Sequence, residues 1–137
     1  DRYMTAIDWK TGKQIWRDNS HKYRESLGRS EDGNRVYAKT MDGEIVCIST
    51  EGYTFKELWI TDAGIGYEHA PCIVLEKDGI VYAGSRRGII TAIDANTSKL
   101  LWRQQVGASE INGFDVDEKG NVYVSLIEGS IWRIIKK

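Results

Sequence analysis

With 137 residues, 19 basic against 20 acidic side chains and a net charge of −1, the chain is one domain's worth of polypeptide, and no long-range field recommends nucleic acid or an anionic membrane as partner. One proline, 14 glycines and a 41% hydrophobic content exclude a disordered or low-complexity chain and favour a fold rich in tight turns. No apolar run approaches the ~18 residues that would span a bilayer, so no membrane insertion is expected, and Asp1-Arg2-Tyr3 opens in mid-pattern rather than as a signal peptide, which leads us to expect a processed or excised piece.

In chain order, short alternating segments rich in β-branched and aromatic residues are separated by Asp-Gly, Arg-Gly, Lys-Gly and Glu-Gly turns, the pattern of strand, hairpin, strand. The first piece predicts two strands, Tyr3 to Asp8 and Lys13 to Arg17. A unit of four follows over Glu25 to Ser30, Arg35 to Thr40, Glu44 to Ser49 and Phe55 to Thr61. The next unit runs through Pro71 to Glu76, Ile80 to Ser85, Ile89 to Asp94 and Lys99 to Val106. The last has three strands, Gly113 to Asp117, Asn121 to Leu126 and Ser130 to Ile135. Helical periodicity is absent throughout.

Three markers share one period. Trp16, Trp59 and Trp102 recur 43 residues apart, while Val36-Tyr37, Val81-Tyr82 and Val122-Tyr123 are spaced 45 and then 41, as are Gly43, Gly88 and Gly129. Four-stranded units at a spacing of ~40–50 residues are the blades of a β-propeller. The expected fold is therefore all-β: a propeller segment of about three four-stranded blades, divided as 1–19 (partial), 20–63, 64–107 and 108–137 (partial). A propeller ring usually needs about 4–8 blades. The expectation is a piece of a longer propeller, with missing upstream blades, or else a homodimer in which two chains complete a ring.

The repeated stretch carries its own physical logic. In Ala6-Ile7-Asp8-Trp9-Lys10-Thr11-Gly12-Lys13-Gln14-Ile15-Trp16, Ile7 is expected to face a blade interface and Asp8 to accept hydrogen bonds from the backbone of the turn. Gly12 suits the position of positive φ. Trp16 is expected to fill the wedge between blades while its indole N–H finds a carbonyl. Ala92, Asp94, Lys99 and Trp102 repeat the pattern with Ser98 in the glycine place, and Cys47-Ile48-Ser49 to Trp59 is a looser copy. Asp8, Gly12, Trp16, Trp59, Asp94 and Trp102 are thus structural docking residues, and Tyr37, Tyr82 and Tyr123 are read the same way. Cys47 and Cys72 fit neither a zinc site nor a Cys-x-x-Cys, and are expected as buried apolar residues.

The Ala-x-Asp-x-x-x-Gly-Lys-x-x-Trp pattern resembles the tryptophan-docking repeat of pyrroloquinoline-quinone-type propellers. That repeat is shared by quinone-dependent dehydrogenases, by the outer-membrane assembly lipoprotein and by cofactor-free surface modules, so the resemblance implies the fold more than a function. The stretches Arg35 to Gly43 and Gly64 to Pro71 also resemble the closing blades of bacterial proteins in which such a propeller follows a calcineurin-like metallophosphoesterase. No Asp-x-His, Gly-Asp or Gly-Asn-His metal motif of that enzyme family is present. The quinone dehydrogenases bind their cofactor and calcium through adjacent cysteines, a catalytic aspartate and oxygen ligands, and this chain has no Cys-Cys pair.

No catalytic residue, metal site or cofactor is expected. The candidate binding residues lie where one blade crosses to the next, since in propellers such crossovers line a mouth of the central channel. Glu25, Glu68 and Glu110 follow their tryptophans by 9, 9 and 8 residues. With Tyr23, Tyr67, His69 and Asn112 beside them they form a candidate site for a cation, sugar or peptide. Arg86-Arg87 is expected as a solvated hairpin tip. The functional expectation is a non-catalytic interaction or scaffold module of a bacterial envelope protein, periplasmic or extracellular by resemblance, with a protein or glycan ligand. The alternatives are the accessory C-terminal propeller part of a metallophosphoesterase and, third, part of a quinone-dependent dehydrogenase.

Overall fold

The computed structural model describes residues 2–68 and 72–137, the side chain of Glu25 excepted. Among the described residues the chain forms thirteen strands and no helix: β1 (Met4–Ile7), β2 (Gln14–Asp18), β3 (Tyr23–Arg29), β4 (Arg35–Thr40), β5 (Glu44–Ser49), β6 (Glu57–Asp62), β7 (Ile73–Lys77), β8 (Ile80–Gly84), β9 (Ile89–Asp94), β10 (Leu100–Gln105), β11 (Ile111–Val116), β12 (Val122–Leu126) and β13 (Ile131–Ile134). They form four antiparallel meanders: β1-β2, β3-β4-β5-β6, β7-β8-β9-β10 and β11-β12-β13. The first strands of successive sheets lie together, β3 against β7 and β7 against β11. The sheets follow one another as blades of an open propeller segment and do not close into a ring.

The middle strands are buried on both faces, which is why they read as near-continuous apolar runs. In β5, Ile45 and Cys47 point into the core shared with the following blade, alongside Val81, Ala83, Ile89 and Ile93. Val46 and Ile48 point the other way, into a core with Tyr23, Ala38, Met4 and Phe55. In β9, Ile90 and Ala92 join Val122, Val124 and Leu126 of the last sheet. Each of the two central blades is thus a slab whose two faces are cores, and the wedges between slabs hold the protein together. Cys47 and Cys72 are free thiols inside this packing, and burial pushes each up to about 11.

The crossovers are seated on the hairpins beside them. Ala63 N–H donates to Gly43 O (3.0 Å) and Val106 N–H to Gly88 O (2.9 Å). Gly43 and Gly88 have φ of 79° and 75°, and a Cβ on either would run into the main chain of Gly66 or Gly107. Only glycine meets both demands at once.

Three expectations need correction. Ile7 does not face an interface: it is 61% exposed, because the first sheet has two strands and nothing packs over that side. β3 begins at Tyr23, ahead of the expected start at Glu25, so Tyr23 too sits in a strand rather than in a crossover. β11 likewise begins at Ile111, which is drawn into the last core, and this places Asn112 in a strand. The expected strand start at Pro71 lies outside the described residues.

Candidate functional site

The docking motif is built from its aspartate outward. Asp8 Oδ1 accepts from Lys10 N–H (2.9 Å), Thr11 N–H (2.7 Å) and Thr11 Oγ1–H (3.0 Å). Asp94 Oδ1 accepts from Asn96 N–H and Thr97 N–H, both at 2.8 Å. The Thr11 backbone N–H chiefly holds the Asp8 carboxyl below its ordinary value, and the Thr97 N–H does the same for Asp94. Gly12 (φ 72°) and Ser98 (φ 66°) occupy the same left-handed position. Each strand pair is bulged beside its turn, at Ala6/Ile7, at Cys47/Ile48 and between Leu100 and Trp102. The bulge adds local twist just ahead of the tryptophan-bearing strand.

Trp59 then reaches across. Its Nε1–H donates to Ala95 O of the next blade (2.9 Å), and Arg35 Nη1 donates to the same oxygen (2.7 Å). Within its own blade Trp59 lies 5.9 Å from the ring of Tyr37, and Trp102 lies 6.1 Å from Tyr82. Trp16 is met edge-on by Phe55 at 5.2 Å. On the same junction Glu76 accepts from Tyr37 O–H (2.6 Å) and from Glu31 N–H (3.0 Å), while Glu31 Oε1 accepts from Asp78 N–H (2.8 Å). These two carboxylates tie the β3–β4 hairpin to the β7–β8 hairpin reciprocally. A cleft of about 560 Å³ opens beside them, bordered by Asp32, Arg35, Glu51, Lys56 and Asp78.

The crossover candidates part company. Glu68 is buried and committed: its carboxylate accepts from Arg86 N–H (3.1 Å) and Arg87 Nε–H (3.3 Å), and its carbonyl accepts from Lys39 Nζ (3.0 Å). Lys39 is itself fully buried, and that desolvation pulls its ammonium below the usual lysine range. Arg87, 53% exposed at the hairpin tip as expected, is thus also tethered. It also donates from Nη2 to Ile65 O, so the β8–β9 hairpin is stitched to the preceding crossover.

Tyr23 is buried, with its hydroxyl on Asp18 Oδ2 (3.3 Å); burial first, and then Asp18, push the phenol upward. Tyr67 is 59% exposed and borders a depression of about 310 Å³ with Ser20, His21, Lys22, Asp42 and Glu44. His21 Nε2 lies 2.6 Å from Glu57 Oε1 in a hydrogen bond. Glu110 is half-buried and its carbonyl accepts from Ile127 N–H (2.9 Å). Asn112 is exposed on β11. His69 and the Glu25 side chain lie outside the described residues. The structure thus brings Tyr67 to a cavity beside His21 and builds Glu68 into the frame.

Sequence reasoning missed Arg35, Glu76 and Lys39 as inter-blade ties and Arg87 as a tie between a hairpin and a crossover. A glutamate or lysine inside an alternating strand was the available signal, because a charged side chain on a core-facing position needs a partner.

Comparison with known proteins follows this geometry. The family model described as "Outer membrane protein assembly factor BamB", a pyrroloquinoline-quinone-type repeat model, matches residues 1–74 and 54–136. "Quinohemoprotein alcohol dehydrogenase ADH IIB" of Pseudomonas putida is 33% identical over 118 residues, which is 73% of this chain and 17% of that protein. Among solved structures, the computationally designed Ika8 protein superposes with a TM-score of 0.78 at 20% identity over 99% of this chain and 41% of its own. The designed Ika4 protein gives 0.74 at 20% identity, over 97% of this chain and 79% of its own. Sqt1 of Saccharomyces cerevisiae gives 0.72 at 13% identity, over 98% of this chain and 39% of its own. At those identities the likeness to solved structures speaks for the fold alone, whereas the family match spans nearly every residue. The chain belongs to the pyrroloquinoline-quinone-type β-propeller repeat family.

Proposed function

We propose that this chain is a non-catalytic propeller module of a bacterial cell-envelope protein, holding a protein or glycan partner on a rigid β scaffold. The observation that carries this reading is how the polar groups are spent. Asp8, Asp94, Glu31, Glu76, Glu68, Lys39 and Arg87 are engaged in turns and blade junctions, where they position the frame. The depression bordered by Tyr67, Ser20, His21 and Lys22 carries side chains suited to recognition by hydrogen bonding and ring contact. The family's description as an outer-membrane assembly factor supports the envelope setting.

A second reading, part of a quinone-dependent dehydrogenase, is favoured by the 33% identity to the Pseudomonas putida enzyme. Thermal melting with pyrroloquinoline quinone and calcium, paired with an alcohol-oxidation assay, separates the two. The module reading expects an unchanged melting temperature and no turnover. A quinone-dependent rise in melting temperature, through linkage of binding to folding, or any turnover would overturn it.

A further inference from the structure

The crossover that joins the two central blades is held by a hairpin on either side, at two separate points. Gly43 O of the preceding hairpin receives Ala63 N–H (3.0 Å), while Arg87 of the following hairpin places its Nη2 on Ile65 O and its Nε on Glu68 Oε2 (3.3 Å). The repeat fixes the equivalent positions one blade earlier. Ile65 stands six residues after Trp59 and Lys22 six after Trp16, while Arg87 directly precedes the hairpin glycine Gly88 as Asp42 precedes Gly43. An aspartate therefore occupies the place of the stitching arginine.

The consequence is an opening. Where Arg87 closes the second junction, the first has the depression of about 310 Å³. Its walls come from matching elements: the crossover at 20–22, equivalent to 63–65, and the hairpin at 40–44, equivalent to 85–89. Since Gly43 and Arg87 hold different points of one crossover, the opening corresponds to the place of the arginine and not to the seat of a preceding hairpin. Asp42 is exposed there, and its carboxylate receives no hydrogen bond among the described residues. Glu44 Oε1 beside it accepts from Thr40 Oγ1–H (3.1 Å), and the ring of Tyr67, 59% exposed, also borders the space. Of the cations nearby, Lys22 lies on the rim, His21 is engaged with Glu57, and Arg2 Nη1 rests on Met41 Sδ (3.3 Å).

We propose that this depression is a seat for an arginine side chain of a partner protein. The guanidinium takes the place that Arg87 takes at the next junction, pairs two N–H donors with the Asp42 carboxylate, turns another toward Glu44 and lies against the Tyr67 ring. Arginine suits such a half-open site better than lysine, because its planar fork matches a carboxylate and is more weakly hydrated. A stitch made within the chain at one junction is thus made between chains at the other. This seat deepens the interaction-module reading and rests on it.

The test follows the backbone amides of the whole protein by NMR while acetyl-Gly-Arg-Gly-amide is added. Saturable shifts centred on residues 20–22, 40–44 and 67 are expected, and added salt should weaken the binding. The citrulline counterpart, which keeps the shape and loses the charge, should bind about tenfold more weakly. Asp42→Asn, in a turn that asparagine also favours, should weaken binding severalfold. Asp42→Arg should abolish it by filling the depression from within, as Arg87 does. Should Asp42→Arg not fold, Asp42→Asn and the citrulline peptide decide the matter. Shifts centred elsewhere, equal binding of the two peptides, or undiminished binding by either variant would overturn the seat. So would a saccharide such as maltose that moves these amides where the arginine peptide does not. If the arginine peptide fails to bind while quinone and calcium still leave the protein unchanged, the seat falls and the module reading stands.

Discussion

The smallest unit that repeats here is an aspartate closing its own turn. Asp117 shows the effect most strongly. Its carboxylate accepts from the Asn121 side chain (2.9 Å), from Asn121 N–H and Lys119 N–H (both 2.9 Å) and from Tyr123 O–H (3.2 Å). Chiefly through Asn121, these bonds hold it at about 2 against an ordinary 3.8. A depressed carboxyl contributes stability that is fully present above the unfolded value and is lost as pH falls through the folded one. Melting temperature should therefore decline between about pH 4 and pH 2, and Asp117→Asn should make that decline shallower; an identical pH profile for the variant would refute the assignment. Ser98 follows the same turn logic without glycine's freedom, accepting a left-handed φ of 66° so that its N–H can donate to Asp94 O (2.9 Å).

At the scale of the element, the hairpin and the crossover it carries form one mechanical part. Gly88→Ala should cost roughly 3 kcal/mol in urea unfolding, because steric overlap adds to backbone strain. Gly12→Ala, with a similar φ but open space around it, should cost only about 1 kcal/mol. Equal penalties at the two sites would show that the crossover yields rather than resists. The contrast also marks what could be read in advance. Strand number, order and period were legible, since two-faced burial leaves apolar runs such as Ile89 to Ile93 and the markers recur on a fixed spacing. The same recurrence drew attention to Asp94 and Trp59, but it does not name their partners, Thr97 N–H and Ala95 O. The ties through Arg35, Glu76 and Lys39 were not legible, because each joins residues some 30 to 60 positions apart, and only the stacking of blades makes them neighbours. Glu68 shows the limit from the other side: its spacing from Trp59 placed it correctly at a crossover, yet spacing says nothing of which way a carboxylate turns.

For the molecule as a whole, stability is distributed along the row of blades, as in other repeat architectures where each unit leans on its neighbours. The two central sheets have both faces covered, while β1 and β2 are covered on one side only. Hydrogen exchange should reflect this: amides of β1 and β2 should exchange through local opening far faster than those of β5, β8 and β9, which should report the global free energy. Uniform protection from one end to the other would instead mean a single cooperative unit. Between the central blades, the oxygen that receives both the Trp59 indole and the Arg35 guanidinium belongs to the main chain of Ala95. Every residue type presents that oxygen, so the two hydrogen bonds make no demand on the side chain there, although packing does, since Ala95 is buried in the shared core. Those bonds therefore tolerate divergence between neighbouring repeats, whereas the Tyr37–Glu76 hydrogen bond at the same junction ties the two blades to particular side chains.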